Sequence, residues 1–223
     1  MFGESRGELD QKSFYGWKIT IRGEFERTTN ARFSLSQTYR CDCSRKEILA
    51  RSPQHAGELC YDGHCRSLDH GPNIRLIMPD ESIIFVDGIS GVQEQNPAKQ
   101  CGDLLLKDRD GFWTYNFAVA VDDFHEDINL IIRGQDILSA TARQIELRRI
   151  LGGDDKVLYF HHPLIWADES KKLSKRDHST SIGQWRDQGL SAAAIIGKAA
   201  FQVGLIDRDE ALDVNDLEAL FHE

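Results

Sequence analysis

Cys41, Cys43, Cys60 and Cys65 crowd into 25 residues and constrain this chain more than any other feature; the fifth cysteine, Cys101, stands apart. The N-terminus, MFGESRGELDQ, has no apolar stretch of the kind that directs secretion, so the expected compartment is the cytosol, where thiols stay reduced. Clustered cysteines there point to a metal before a disulfide. Zinc suits thiolates and takes four donors in a tetrahedron. Cys41, Cys43 and Cys65 offer three; the fourth could be the Tyr61 phenolate, His64, His55 or Cys60. Two ligands on one C-x-C turn, tied to a distant pair, would staple a segment with little core of its own. Zinc binding contributes ~10–16 kcal/mol to the folding of such modules.

At 223 residues, 40% hydrophobic and 28% charged, the chain can bury one large core or two small ones. No run approaches the roughly 18 apolar residues of a membrane span, so a soluble protein away from membranes is expected; a monomer is expected as well. A net charge of −9 argues against non-specific coating of nucleic acid. It leaves room for an RNA partner at local basic patches: Arg40, Arg45, Lys46 and Arg51; Arg143, Arg148 and Arg149; Lys171, Lys172, Lys175 and Arg176. Each patch alone is more often a solvated face.

Phe14 to Ile21 alternates enough to suggest a strand, and residues 39 to 70 read as loop. Ile74–Met78 and Ile83–Val86 read as short strands closed by Pro79-Asp80 and Asp87-Gly88. The β-branched and aromatic run Trp113–Val121 reads as another strand, followed by Ile128–Ile132. Ser139 or Thr141 would cap a helix through Arg143–Leu151, stopped by Gly152-Gly153. Val157–Ile165 reads as a strand, Ser191 caps a helix over 192–203 that Gly204 ends, and Val214–His222 reads as a last helix. Alternating strands and helices from 113 onward predict an α/β fold.

After the His161-His162-Pro163-Leu164-Ile165 strand comes Lys171-Lys172-Leu173-Ser174-Lys175-Arg176. Closely spaced ammonium groups suit a polyphosphate on which charge develops, although a lone K-x-S-K is most often a solvated turn.

Four segments in order resemble the glutamyl-tRNA synthetase family of class I aminoacyl-tRNA synthetases. They are Cys41-Asp42-Cys43-Ser44-Arg45 with Tyr61-Asp62-Gly63-His64-Cys65-Arg66; Trp113–Ala118 through Val121-Asp122-Asp123; Ile132-Arg133-Gly134-Gln135-Asp136 with Ser139, Thr141, Arg143 and Gln144; and Lys172-Leu173-Ser174-Lys175-Arg176. The last is similar to the signature loop named KMSKS. Ile74 to Asp103, including Ile89-Ser90-Gly91 and Gly102-Asp103, is most similar to a short paralog branch of that family, which carries no anticodon-binding domain. The resemblance implies the second part of a Rossmann-like catalytic region, an inserted zinc-binding subdomain and a short helical C-terminus. The corresponding spans are 1–38 unassigned, 39–110 zinc-binding and acceptor-type insertion, 111–180 catalytic region with the lysine loop, and 181–223 helical segment.

The resemblance further implies a chemistry. ATP, with Mg2+, and glutamate form glutamyl-adenylate and pyrophosphate; the paralog then transfers glutamate to queuosine at the wobble position of tRNA(Asp). By position, Tyr115 and Arg133 bind glutamate, Lys175 neutralises the triphosphate with Lys172 and Ser174 shaping the loop, and His162 faces ATP. Cys41, Cys43, Tyr61 and Cys65 match the paralog's zinc spacing. Against the pattern, the sequence contains no His-x-Gly-His, the family's ATP-holding helix start. The expectation is therefore a chain lacking the N-terminal active-site half. Alternatives are an inactive tRNA- or glutamate-binding remnant and a fragment of an ordinary glutamyl-tRNA synthetase.

Overall fold

The computed structural model describes residues 37–52, 58–68, 70–154, 156–164, 166–168, 171–172 and 181–221, with backbone alone at 166–168, 171–172 and 221. The possible strand at Phe14–Ile21 and the candidate ligand His55 lie outside these residues, as do Ser174, Lys175 and Arg176 of the lysine loop.

Three strands form an antiparallel sheet in the order β1 (Thr38–Cys41), β2 (Asn73–Leu76) and β5 (Leu104–Lys107). A second sheet runs β4 (Gly91–Gln95), β3 (Ile83–Asp87), β7 (Leu158–His162), β6 (Leu130–Gly134). Here β3, β7 and β6 are parallel and β4 is an antiparallel edge. Two short strands, β8 (Trp166–Asp168) and β9 (Lys171–Lys172), pair as a hairpin. The expected boundary at 110/111 runs through the second sheet, which takes β3 and β4 from one side of it and β6 and β7 from the other.

Residues 39–70 hold more regular structure than a loop. Besides β1 they form α1 (Arg45–Arg51), started by a reciprocal capping box in which the Ser44 hydroxyl accepts the Glu47 N–H and Glu47 reaches back to the Ser44 N–H. The Ser-x-x-Glu signal for it was in the sequence. A further short helix, α2 (Pro97–Cys101), has Asn96 as its N-cap.

The run Trp113–Val121 is a correction: its larger part is helix, α3 (Tyr115–His125). Phe117, Ala120, Val121 and Phe124 follow a helical period, and they pack with Leu76, Leu106 and Leu147. Burial of that stripe overrides the β preference of its residue types, which is a weak prior. The helix α4 (Thr141–Ile150) follows a 3₁₀ stretch, Gln135–Ala140, and no side chain caps it. Thr141 is turned to another use, described below. Ser191 caps α6 (Ala192–Gln202) as expected, after the short α5 (Ile182–Asp187). The predicted last helix is instead two 3₁₀ pieces, Val214–Asp216 and Glu218–Phe221; with no buried residue in the first piece, packing does not prolong it.

One helix joins the two sheets. From α4, Ala142 and Ile145 pack on Ile83, Phe85 and Tyr159 of the four-stranded sheet, while Leu147 packs with Leu76 and Leu106 of the three-stranded one. The opposite face of the four-stranded sheet carries Ile84, Val86, Val92, Ile132 and Leu158, all exposed. Parallel sheets usually have both faces covered, so this is an unusual apolar surface.

The third cluster, Tyr39, Cys41, Ile48, Tyr61 and Cys65, is anchored to the rest through Gly102-Asp103. The Tyr61 N–H donates to the Cys101 carbonyl at 2.9 Å, and Gly102 lies at φ 66° with its α-carbon against Tyr61. A Cβ there would stand 1.8 Å from the Tyr61 carbonyl oxygen, whereas one at Gly91, φ 72°, meets nothing within 4 Å. Gly102→Ala should therefore lose about 3 kcal/mol or more in urea unfolding, and Gly91→Ala only about 1 kcal/mol. Equal losses would show that backbone conformation alone, and not the close approach, sets the requirement.

Candidate functional site

Three sulfurs and one phenol converge at the base of β1. The thiol sulfurs of Cys41, Cys43 and Cys65 lie within 4.8 Å of one another, a grouping able to hold a metal ion. The Tyr61 Oη sits 3.3 Å from Cys41 Sγ and 3.6 Å from Cys43 Sγ, and accepts the Cys65 N–H at 2.9 Å. Of the candidate fourth donors among the described residues, Tyr61 is the one at the sulfurs. The Cys60 thiol instead points to the Ala98 and Lys99 carbonyls, and the His64 backbone N–H donates to the Asp62 carboxylate.

Two guanidiniums back the cluster: Arg51 Nη2 is 3.1 Å from Cys43 Sγ and Arg75 Nε is 3.3 Å from Cys41 Sγ. Positive charge there favours thiolates, the form that binds metals. Burial alone would raise the Cys65 thiol, but hydrogen bonds from Tyr61 and the Asp42 backbone bring its pKa down. Behind the cluster the buried Asp103 carboxylate accepts Arg66 Nε and Nη2, each at 2.6 Å, and the Tyr39 hydroxyl at 2.5 Å.

A second polar network lies at the C-terminal ends of β6 and β7. Register pairs Arg133 with His161 on these neighbouring strands. Arg133 donates through Nε to His161 Nε2 at 2.8 Å, through Nη1 to Gln144 Oε1 at 2.5 Å and through Nη2 to Thr141 Oγ1 at 2.8 Å. Thr141 serves no cap because it already lies inside the helix, with helical backbone angles. His161, fully buried, places its Nδ1 2.6 Å from Asp87 Oδ2. Because a carboxylate only accepts, the network assigns the imidazole proton to Nδ1 and leaves Nε2 to accept from Arg133. Asp87 Oδ1 also takes the Ile89 and Ser90 N–H groups at 3.1 and 2.7 Å. Gln144 passes the chain on by donating to Asn116 Oδ1 at 2.9 Å.

Asn116 and Thr114 open on a cleft of about 210 Å³, also lined by Tyr61, Arg75, Asp103 and Arg143, between the cysteine cluster and α3. Tyr115 begins α3 half exposed, within electrostatic reach of Arg133. His162 ends β7 with its Nδ1 2.9 Å from the Pro163 carbonyl, outside the network that holds His161. Lys172 enters β9 by its backbone. In the sequence Asp87 stands in a turn signal and Gln144 in a helix, and His162, not His161, is the candidate named for ATP. Polar side chains at the C-terminal ends of parallel strands were the signal available.

Fold and geometry together define a class I synthetase catalytic region, and the family described as tRNA synthetases class I (E and Q), catalytic domain, matches residues 33–209. The chain belongs to that family. Within it, a glutamyl-Q tRNA(Asp) synthetase of Geobacter sulfurreducens is 40% identical over 161 residues, 69% of this chain and 51% of the relative. One from Nitratidesulfovibrio vulgaris is 35% identical over 198 residues, 82% of this chain and 60% of the relative. The chain thus spans between half and two thirds of the length of these relatives. A solved glutamate-tRNA synthetase from Elizabethkingia anophelis superposes with a TM-score of 0.62 at 25% identity, over 81% of this chain and 44% of that one. Among the described residues no helix is long and apolar enough to cross a membrane.

Burial depresses the His161 pKa below the usual value, the Asp87 hydrogen bond opposing. The folded chain therefore binds fewer protons at His161 than the unfolded chain does. Its share of stability is complete above pH ~6.5 and is lost as pH falls through that value toward the lowered native pKa. Asp87, raised by burial but brought down further by His161 and backbone N–H groups to about 2, keeps its share until pH falls below ~4 toward 2. Urea midpoints should fall between about pH 6.5 and 5 in the wild type, and less steeply in His161→Gln. Parallel slopes would remove His161 as the group responsible.

Proposed function

We propose that this chain carries the glutamate-gripping part of a site that activates glutamate with ATP and transfers it to queuosine of tRNA(Asp). The single observation behind the proposal is Arg133, a half-buried guanidinium whose hydrogen-bond partners are all neutral. A guanidinium left without a carboxylate is a ready partner for one brought by a ligand. Activation requires the α-carboxylate to attack ATP, so a fixed guanidinium serves best on the side-chain carboxylate. Tyr115 borders the same ligand. Lys175, with Lys172 and Ser174, would neutralise the triphosphate and its Mg2+, and His162 would face the nucleotide. Likeness to glutamyl-Q tRNA(Asp) synthetases supports queuosine as the acceptor.

Cys41, Cys43, Cys65 and Tyr61 would hold one Zn2+. The donor set fits that ion: three thiols close together with one hard oxygen beside them, and guanidiniums behind to offset the excess negative charge. Its role is structural, tying β1 to the Tyr61–Cys65 turn. Elemental analysis should find one zinc per chain, and none would sink the assignment. Full retention in Tyr61→Phe would move the fourth donor to Cys60 or His64.

Isothermal titration should show weak glutamate binding that Arg133→Ala abolishes; undiminished binding by the variant would contradict the site. The 223-residue polypeptide assayed by itself should show little ATP–pyrophosphate exchange, because its sequence holds no His-x-Gly-His to fix the α-phosphate in line, and positioning of that kind is worth several powers of ten. Robust exchange lost in Lys175→Ala would show that this chain completes the nucleotide wall unaided.

A further inference from the structure

The proton count at Arg133 carries an inference about the residues behind it. A guanidinium has five N–H bonds in one plane. Three are committed, one each to His161, Gln144 and Thr141, which leaves one on each terminal nitrogen. Two such protons are what a carboxylate takes in a paired hydrogen bond. The three committed acceptors are all uncharged, so they fix the fork in place without neutralising it.

Asp87 supplies the negative charge of the network, but one ring away. Its carboxylate lies against His161 Nδ1, while Arg133 meets the far side of the same ring. Resting on the assignment of glutamate to Arg133, we propose that Asp87 and His161 are positioning residues for amino-acid selection. Asp87 holds His161 as the neutral Nδ1–H tautomer, and His161 thereby presents Nε2 as an acceptor that orients Arg133 for a ligand carboxylate. An acid placed directly on Arg133 would compete with that carboxylate; an imidazole spacer orients without competing. The other tautomer would set an Nε2–H against the Arg133 Nε–H, two donors face to face, and the fork would have to turn.

The groups surrounding the ring agree with this division of labour. Thr141 Oγ1 lies 3.3 Å from Nε2 on the α4 side, and Asp87 also accepts the His161 backbone N–H at 3.3 Å on the β3 side. Asp123 acts on Arg133 from α3 through space, and burial raises its carboxyl pKa while Arg133 draws it down. Gln144 is itself fixed by Asn116, so the fork is braced from both strand and helix.

The test combines a tautomer readout with a ligand preference, both on the whole 223-residue chain. Long-range 1H–15N correlation should find His161 protonated at Nδ1 alone in the wild type near pH 7.5, and at Nε2 in Asp87→Asn. An asparagine can donate to Nδ1, which the carboxylate cannot. Titrations with glutamate and with glutamine should then show glutamate affinity falling about tenfold in Asp87→Asn with glutamine affinity unchanged, the size of one well-aligned charged hydrogen bond. A purely structural role for Asp87 would weaken both ligands together, which would overturn the proposal. Nε2 protonation in the wild type would overturn it as well. A wild type with the Nδ1–H tautomer but no preference for glutamate over glutamine would instead refute the assignment of glutamate to Arg133, and the selection role with it. If Asp87→Asn does not fold, His161→Gln, which keeps an acceptor toward Arg133, should retain more of the glutamate preference than His161→Leu; equal loss in the two would refute the positioning role.

Discussion

The hydrogen bond between Asp87 and His161 is where the sheet and the site depend on each other. β3 and β7 share a single register pair, Asp87 with Tyr159, plus the Gly88 N–H on the Tyr159 carbonyl. The backbone ladder goes no further, because the chain turns back at Gly88 toward β4. The Asp87 side chain continues the ladder by other means, taking the next backbone N–H, that of His161, and its ring as well. A buried carboxylate left without these donors would cost several kcal/mol. Strand order, imidazole tautomer and the setting of Arg133 thus follow from one buried acid.

The rest of the molecule can be followed outward from that point. Arg133 reaches α4 through Thr141 and Gln144, and α4 packs on both sheets, so motion of the helix would be felt at the guanidinium. Gln144 reaches α3 through Asn116, beside the cleft that Tyr61, Arg75 and Asp103 also line. That cluster hangs on Gly102 and Asp103. Asp103, almost fully buried, gathers Arg66, Tyr39 and the Met78 N–H, and its backbone carbonyl accepts Arg75, the same guanidinium that donates to Cys41. Two buried aspartates, one per sheet, therefore organise two polar centres on either side of the cleft.

Much of this was legible in the sequence, and the gaps have physical causes. Cys41, Cys43, Tyr61 and Cys65 could be grouped because ligand spacing is local and thiols are rare. Arg133 and Tyr115 could be named because they stand in a long ordered resemblance. Asp87 could not, since Asp-Gly after a strand is ordinarily a turn signal, and nothing local shows that its carboxylate will face a histidine 74 positions away. His161 could not be named, because which of two adjacent strand side chains faces inward is a matter of register that a run broken by Pro163 does not fix. The segment after Trp113 was read by residue type, whereas the spacing of Phe117, Ala120, Val121 and Phe124 already had the helical period.

Which carboxylate of glutamate meets Arg133 is the central question, and carbon-13 NMR of uniformly labelled glutamate titrated with the chain answers it most directly. The account predicts that the side-chain carboxyl carbon shifts on binding and that its pKa falls beside the guanidinium, while the α-carboxyl carbon keeps its free-solution titration. A shift confined to the α-carboxyl carbon, or the same side-chain shift in Arg133→Ala, would contradict it.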